Sequence, residues 1–222
     1  SDTMLARFQV TSASPELVQY LLPQLTELVN MDDESARLKG VNVLAQLFEL
    51  SASHNVVHEY PMLLTAFISK FQDVSSEVRR AAVLHAVQLV TVHSSIAERL
   101  VPALKERVMD PEEKVRSVLV TAVCDACGSQ MEPLSALLRD VSSRMLDKRP
   151  NVRTAARVGL CKLYSRRLLV QLKATGDSGA EAPPGLEWFP QQLLQCYGAE
   201  AARDADSRLE LEELLQLSLI HI

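Results

Sequence analysis

The chain has 222 residues, of which 47% are hydrophobic and only 5% aromatic, with seven glycines and a formal net charge of −5. This is enough apolar matter for a core, and the Leu-, Val- and Ala-rich, glycine-poor make-up favours helices over a sandwich or barrel. No signal peptide is evident and no apolar run reaches the ~18 residues of a membrane span, so the expectation is a soluble chain with no membrane partner.

Residues 1–14 are irregular, and Met4, Leu5 and Phe8 could end an earlier helix. Without an initiator Met, the sequence reads as a piece of a longer chain. Ser14-Pro15 then has the form of an N-cap and first helical residue. Leu17, Tyr20, Leu21, Leu25 and Leu28 follow at helical spacing, with Pro23 inside the run, where a lost internal bond predicts a kink. Next comes a turn at Met31-Asp32-Asp33 and an Ala36-Arg37 pair that opens a second helix. The device recurs with a true Asp: Asp73 before Val78-Arg79, Asp110 before Val115-Arg116, and Asp147 before Val152-Arg153. The arginines fall at 37, 79, 116 and 153, spacings of 42, 37 and 37. A period in this range with two helical patterns per repeat predicts a helical solenoid, because one short pair cannot bury its apolar faces alone.

The second helix of the second repeat carries one stripe of Val78, Ala81, Ala82, His85 and Leu89 and another of Val83, Val87 and Val90. A helix this apolar is sandwiched by neighbours. His85 reads as a core histidine satisfied by backbone. Ala81, Ala82, Ala155, Ala156 and Gly159 would let helices approach closely. In the third repeat Pro102 stands eight residues before Asp110, as Pro23 stands eight before Met31. Cys124 and Cys127 form a CxxC, but inside a helical pattern with no second pair and no His cluster. That favours a buried helix face over zinc or redox chemistry, and free thiols fit a reducing compartment.

In the fourth repeat a first helix is expected over about Pro133 to Met145 and a long second helix to about Lys173. Gly, Ser, Asp and Pro183-Pro184 then mark a flexible loop. Trp188, Leu193, Leu194 and Tyr197 restart helical order, and a last helix is expected from about Ser207. The sequence therefore divides into repeats over 1–173 (about four helix pairs), a loop over 174–186 and a further helix pair over 187–216. Leu217–Ile222 matches what a sequencing-library transposon end encodes in one frame, and is expected to be foreign to the fold.

The Asp at each turn can accept from N–H groups at the start of the next helix, and Asp110 with Glu113 has capping-box spacing ahead of Pro111. The planar Arg fork can reach the Asp of its own or the adjacent repeat. Asp73, Arg79, Asp110, Arg116, Asp147 and Arg153 are thus expected to form a structural ladder. A pair that recurs with the repeat is a poor catalytic group, since an active site occurs once. No Gly-rich phosphate loop, metal spacing or nucleophile motif is present, so neither an enzyme nor a cofactor is expected. From Arg139 to Lys173 the chain holds ten Lys/Arg against two acids, a local +8. Arg144, Lys148, Arg149, Arg153, Arg157, Lys162, Arg166 and Arg167 are the candidates for a weak surface toward DNA or an acidic peptide. A solvated Arg-rich helix face explains the same pattern.

A bent first helix, an Asp at the turn and an Arg six residues later, as at Pro102, Asp110, Val115 and Arg116, resembles HEAT repeats. The resemblance implies an all-α HEAT-repeat α-solenoid, a right-handed stack of helix pairs. Longer segments in order narrow it. These are Leu21-Leu22-Pro23-Gln24-Leu25, Phe71-Gln72-Asp73-Val74, Asp110-Pro111-Glu112-Glu113, Leu146-Asp147-Lys148-Arg149, Gly159-Leu160 with Leu163-Tyr164, then Trp188, Leu193-Leu194, Tyr197, Asp206 and Arg208. Over about residues 20–216 the set resembles the middle of the sister-chromatid cohesion protein of the Pds-five family. One departure is Pro150, where the family usually has a bulky residue, often Trp. The resemblance implies a nuclear, chromatin-associated, non-enzymatic scaffold with the cohesin kleisin and the Wings-apart-like factor as partners. The competing reading is another HEAT adaptor, of the nuclear-transport or phosphatase-scaffold kind.

Overall fold

The computed structural model describes residues 15–50, 59–175, 182–201 and 212. Among them are nine α-helices and no strand. The helices are α1 (Pro15–Asn30), α2 (Glu34–Leu50), α3 (Pro61–Ser69), α4 (Ser76–Val92), α5 (Ala97–Arg107), α6 (Glu113–Ser129), α7 (Leu138–Ser142), α8 (Pro150–Thr175) and α9 (Phe189–Ala201). Short 3-10 turns occupy Lys70–Gln72, Ser94–Ile96, Leu134–Leu137 and Ser143–Leu146. This is the all-α repeat solenoid that the arginine period predicts. The expectations for Met4, Leu5, Phe8, Ser14, the helix from Ser207 apart from Glu212, and residues 217–222 lie outside the described residues, as do 176–181 of the expected 174–186 loop, whose first two residues instead extend the long helix. The chain divides into two compact units, Ser1–Leu119 and Val120–Ile222, with α6 running through the division as one helix.

In the first unit, α1 packs on α2 and α3, and α2 packs on α4, so first helices neighbour first helices and second helices neighbour second helices. Pro23 and Pro102 both lie inside first helices, α1 and α5. The core between the layers is built from Leu25, Val29, Val41, Leu44, Phe48, Leu63, Phe67 and Phe71, all essentially inaccessible to solvent. Phe48, Phe67 and Phe71 meet edge to face with 6.1 Å between successive ring centroids, the geometry the ring quadrupole prefers. On α4 both expected stripes are buried except Ala81 and His85, which are half-exposed. His85 finds a side chain rather than backbone: its Nε2 lies 2.9 Å from Asn42 Oδ1 on α2. Burial lowers its pKa and outweighs the opposing charge of Glu49, so the ring is neutral at pH 7.

In the second unit, the single helix expected over 133–145 is three short pieces, yet Leu134, Leu137, Leu138, Val141 and Met145 are all buried. The hydroxyls of Ser142 and Ser143 donate to the carbonyls of Arg139 and Asp140 at 2.7 and 2.6 Å. Such i−3 back-bonding competes with the regular helical ladder and accounts for the alternation with 3-10 turns. The 26-residue α8 packs on α7 and on Ser143–Leu146. Beyond the loop, Gly185 takes a φ of 81°, where a side chain would be strained, and its carbonyl accepts from the Trp188 indole N–H at 2.9 Å. This turn places Phe189 against Tyr164 of α8, ring centroids 5.3 Å apart. Cys124 and Cys127 are buried. Burial raises both thiols, Cys127 to about 12, so both stay protonated at neutral pH.

Gly40 of α2 marks a close helix–helix approach in the first unit. A Cβ there would lie 2.5 Å from Val29 Cγ1 and 3.1 Å from the Val29 backbone on α1. Gly40→Ala gains about 1 kcal/mol of helix propensity. The overlap with a buried neighbour outweighs it, for a net loss of about 1–2 kcal/mol. The expected outcome is a lower urea midpoint at unchanged slope. An unchanged midpoint would show that α1 moves aside freely.

Candidate functional site

The turns between first and second helices share one construction. Each turn Asp donates its N–H to the carbonyl three residues back: Asp73 to Lys70, Asp110 to Arg107 and Asp147 to Arg144, at 3.3, 3.1 and 2.9 Å. Its Oδ1 accepts the N–H two residues on, from Ser75, Glu112 and Arg149, each at 2.9 Å. The Asp thus braces the residues ahead of the helix. In the second repeat the N-cap of α4 is Ser75, whose hydroxyl accepts from Glu77 and Val78.

The arginine six residues later closes the turn from the other side. Arg37 Nη1 donates to the carbonyls of Met31 and Asp32 at 3.1 and 2.6 Å, and Arg79 Nη1 to those of Asp73 and Val74 at 2.8 and 3.2 Å. Arg116 and Arg153 repeat this on Asp110 and Pro111 and on Asp147 and Lys148. These carbonyls belong to the turn at the end of the first helix and have no helical partner of their own.

The rest of the guanidinium reaches onward. Arg37 Nε and Nη2 grip Asp73 at 2.8 and 3.0 Å, and Arg79 grips Asp110 with both bonds at 2.9 Å. The sequence left open whether the Arg would serve its own or the adjacent repeat. At Arg37 and Arg79 it does both: carbonyls of its own turn, carboxylate of the next. Burial raises the Asp73 and Asp110 pKa values. The bonds from Arg37 and Arg79, the backbone N–H of Ser75 and Glu112, and the neighbouring cations together hold both below the usual carboxylate range.

A second periodic cation escaped the sequence reading. Arg107 and Arg144 place Nη1 3.0 and 3.1 Å from Oδ2 of Asp110 and Asp147. Lys70, at the same place in the second repeat, turns to Asn30 Oδ1 at 3.0 Å. The spacing 70, 107, 144 is the period of the repeat, so the fold gives Arg144, a candidate for the basic surface, a partner at its own turn.

That basic surface is sorted by the fold. Arg144 is on Asp147 and Arg153 on turn carbonyls. Arg157 is 1% exposed with Nε on the Met145 carbonyl at 3.2 Å. Arg139, also within the +8 stretch, lies over the Trp188 ring at 5.3 Å from its centroid. Arg167 is half-buried near Cys127. Lys148 and Arg149 are exposed at the turn before α8, and Lys162, Arg166 and Lys173 are exposed along it. In the first unit the ends of α1 and α3 line an open groove of about 960 Å³ that includes Glu27, Asp32, Met31 and Met62.

A family model described as "Sister chromatid cohesion protein PDS5 protein" matches residues 6–221. Sister chromatid cohesion protein PDS5 homolog A of Mus musculus and that of Homo sapiens are each 30% identical over 213 residues, covering 96% of this chain and 15% of theirs. The chain thus spans about 15% of the length of these curated relatives. A solved structure described as "Structure of the Pds5-Scc1 complex and implications for cohesin function" is similar over 96% of this chain and 32% of that one, with a TM-score of 0.78 at 18% identity. A designed armadillo repeat protein in complex with the peptide (KR)4 is similar over 97% of this chain and 91% of that one, with a TM-score of 0.50 at 16% identity. At such identities the two structures speak to the helical-repeat fold.

Asp110 is the test of the turn construction, being 2% exposed and held by two arginines. Asp110→Ala leaves Arg79 buried without its carboxylate and is expected to cost about 3–5 kcal/mol in denaturant unfolding. A loss under about 1 kcal/mol, the worth of an exposed pair, would show that Asp110 is only a surface charge. The depressed carboxyl pKa values also set a pH dependence. Their stabilisation is fully present above the ordinary value of about 3.9 and is lost as pH falls through the lower folded-state values. The urea midpoint of the wild-type chain should therefore drop on acidification below about pH 4, with a shallower drop in Asp110→Asn.

Proposed function

The chain belongs to the PDS5 family of sister chromatid cohesion proteins. From that membership we propose that it is a segment of a nuclear, non-enzymatic scaffold that regulates cohesin on chromosomes by holding an extended stretch of the kleisin against its helix pairs. The observation that carries this reading is the family match across residues 6–221. The solved Pds5 structure of similar fold is a complex with Scc1, which supports the choice of partner.

The physical argument runs the same way. The second helices α2 and α4 lie side by side and turn mostly polar side chains to solvent, Lys39 and Glu49 on α2 and Arg80 and Gln88 on α4, with one exposed apolar residue, Leu84, among them. Such a surface offers contacts in series. It suits a partner without structure of its own, which loses conformational freedom on binding and compensates by spreading contacts over several repeats. A release factor of the Wings-apart-like kind would bind the same scaffold as a further partner, and exposed Lys148 and Arg149 would supply at most a weak, salt-sensitive contact to DNA phosphates.

Calorimetric titration of the chain with the matching kleisin segment tests this, against a scrambled peptide of the same composition. The expected result is saturable binding to the native segment, weaker than with a longer piece of the scaffold. Equal binding of both peptides, abolished by salt in both cases, would leave only a charged helical repeat and sink the cohesin reading of this segment.

A further inference from the structure

The second helices α2, α4 and α6 are each 17 residues long, whereas α8 runs to 26. The surplus lies at its C-terminal end. A Cβ on Gly128, one residue before α6 stops at Ser129, would meet Arg166 Nη1 at 3.1 Å. Arg166 therefore crosses the last turn of α6, and α8 continues past it for about two and a half more turns.

The faces of this overhang differ. Leu163 and Leu168 are 2–3% exposed, and Tyr164 meets the Phe189 ring, so that side is buried. On the opposite side Lys162, Arg166, Leu169 and Lys173 follow at i, i+4, i+7 and i+11, one continuous stripe roughly 16 Å long at 1.5 Å per residue. All four are exposed, Leu169 by 39%, and Val170 beside them by 56%. Lys162, Arg166 and Lys173 form no ion pair among the described residues. The preceding residues on the same face, Asn151, Ala155 and Val158, are uncharged.

Three cations spaced about an exposed leucine and valine are not the lining that a phosphate backbone requires. Nucleic acid offers charge to the cations but nothing to cover Leu169 and Val170, and no exposed aromatic stands among them to stack a base. A peptide that carries carboxylates around an apolar side chain complements both parts: its acids meet Lys162, Arg166 and Lys173, while its apolar residue covers Leu169 and Val170. We propose that the solvent face of the C-terminal half of α8 docks an acidic peptide segment with an apolar anchor. This goes beyond the kleisin reading and does not depend on it.

Fluorescence anisotropy with three probes tests it on the whole chain. The first is a short labelled Glu-rich peptide with a central Leu-Leu pair. The second has Ser-Ser in place of that pair. The third is a blunt DNA duplex of arbitrary sequence. The Leu-containing peptide should bind about tenfold tighter than its Ser counterpart, from burial of the apolar pair. Lys162→Glu with Lys173→Glu should weaken it by more than about tenfold through like-charge repulsion. Leu169→Ser should remove the preference for the Leu peptide while leaving the Ser peptide unchanged. Equal binding of the two peptides would overturn the proposal and leave a solvated basic face. So would Leu-peptide binding that ignores the double charge reversal. Duplex binding tighter than the Leu peptide and dependent on the same lysines would overturn it in favour of nucleic acid. The substituted side chains are all exposed, and a thermal melt matching the wild-type chain establishes that each variant is folded.

Discussion

The arginine that opens each second helix is the constraint on which the repeats depend. A tight turn between two helices strands carbonyls at the end of the first and N–H groups at the start of the second. Water could satisfy them only if the turn stayed open to solvent, and here Arg79 is 8% and Arg116 3% exposed. The guanidinium resolves this because its five donors lie in one plane, so one edge can take two carbonyls while the other takes a carboxylate. Lysine, a point charge, cannot do both.

The carboxylate that Arg37 and Arg79 take belongs to the next turn, which makes the interaction a register device more than a source of net stability. Bringing a charge pair into the interior costs solvation about as large as the attraction it recovers, and an apolar replacement can serve stability equally well. What an apolar contact cannot supply is direction. Two parallel bonds at 2.9 Å between Arg79 and Asp110 fix how the end of one repeat meets the turn of the next. Along the aliphatic layers, by contrast, Val, Leu and Ala would tolerate a slip of one repeat against its neighbour. In the first unit the trio Phe48, Phe67 and Phe71 adds an orientation imposed by the core itself.

The fold was legible because its signal is periodic. Arginines 42, 37 and 37 residues apart announce the repeats, and alternating apolar stripes announce two helices in each. The destination of each side chain was less legible, because it depends on which repeat lies within reach. Nothing local distinguishes an Arg that grips its own Asp from one that grips the next. A charge count over 139–173 cannot sort the cations it sums: Arg157 is buried against a carbonyl, Arg153 serves a turn and Arg139 lies on Trp188. Lys70, Arg107 and Arg144 were missed because their common period joins two residue types. The broken helix over 134–146 turns on Ser142 and Ser143, whose hydroxyls choose between solvent and backbone only once Leu138 and Val141 are packed.

A division of labour follows between the edges and the faces of such a scaffold. Turn residues are fixed by the requirement to satisfy backbone groups. Core residues are fixed by volume. Only the outward positions of the helices remain free to vary with the partner, and on α8 those positions change character along a single helix. Asn151, Ala155 and Val158 give way to Lys162, Arg166, Leu169 and Lys173. Alone, each of these side chains would contribute little, since an exposed charge is screened and an exposed leucine is unremarkable on a protein surface. Held in line on a rigid helix, they act together, because the conformational cost of aligning them was met when the helix folded. A disordered partner then bears only its own ordering cost, and the stiffness that the Asp–Arg turns impart becomes part of the recognition.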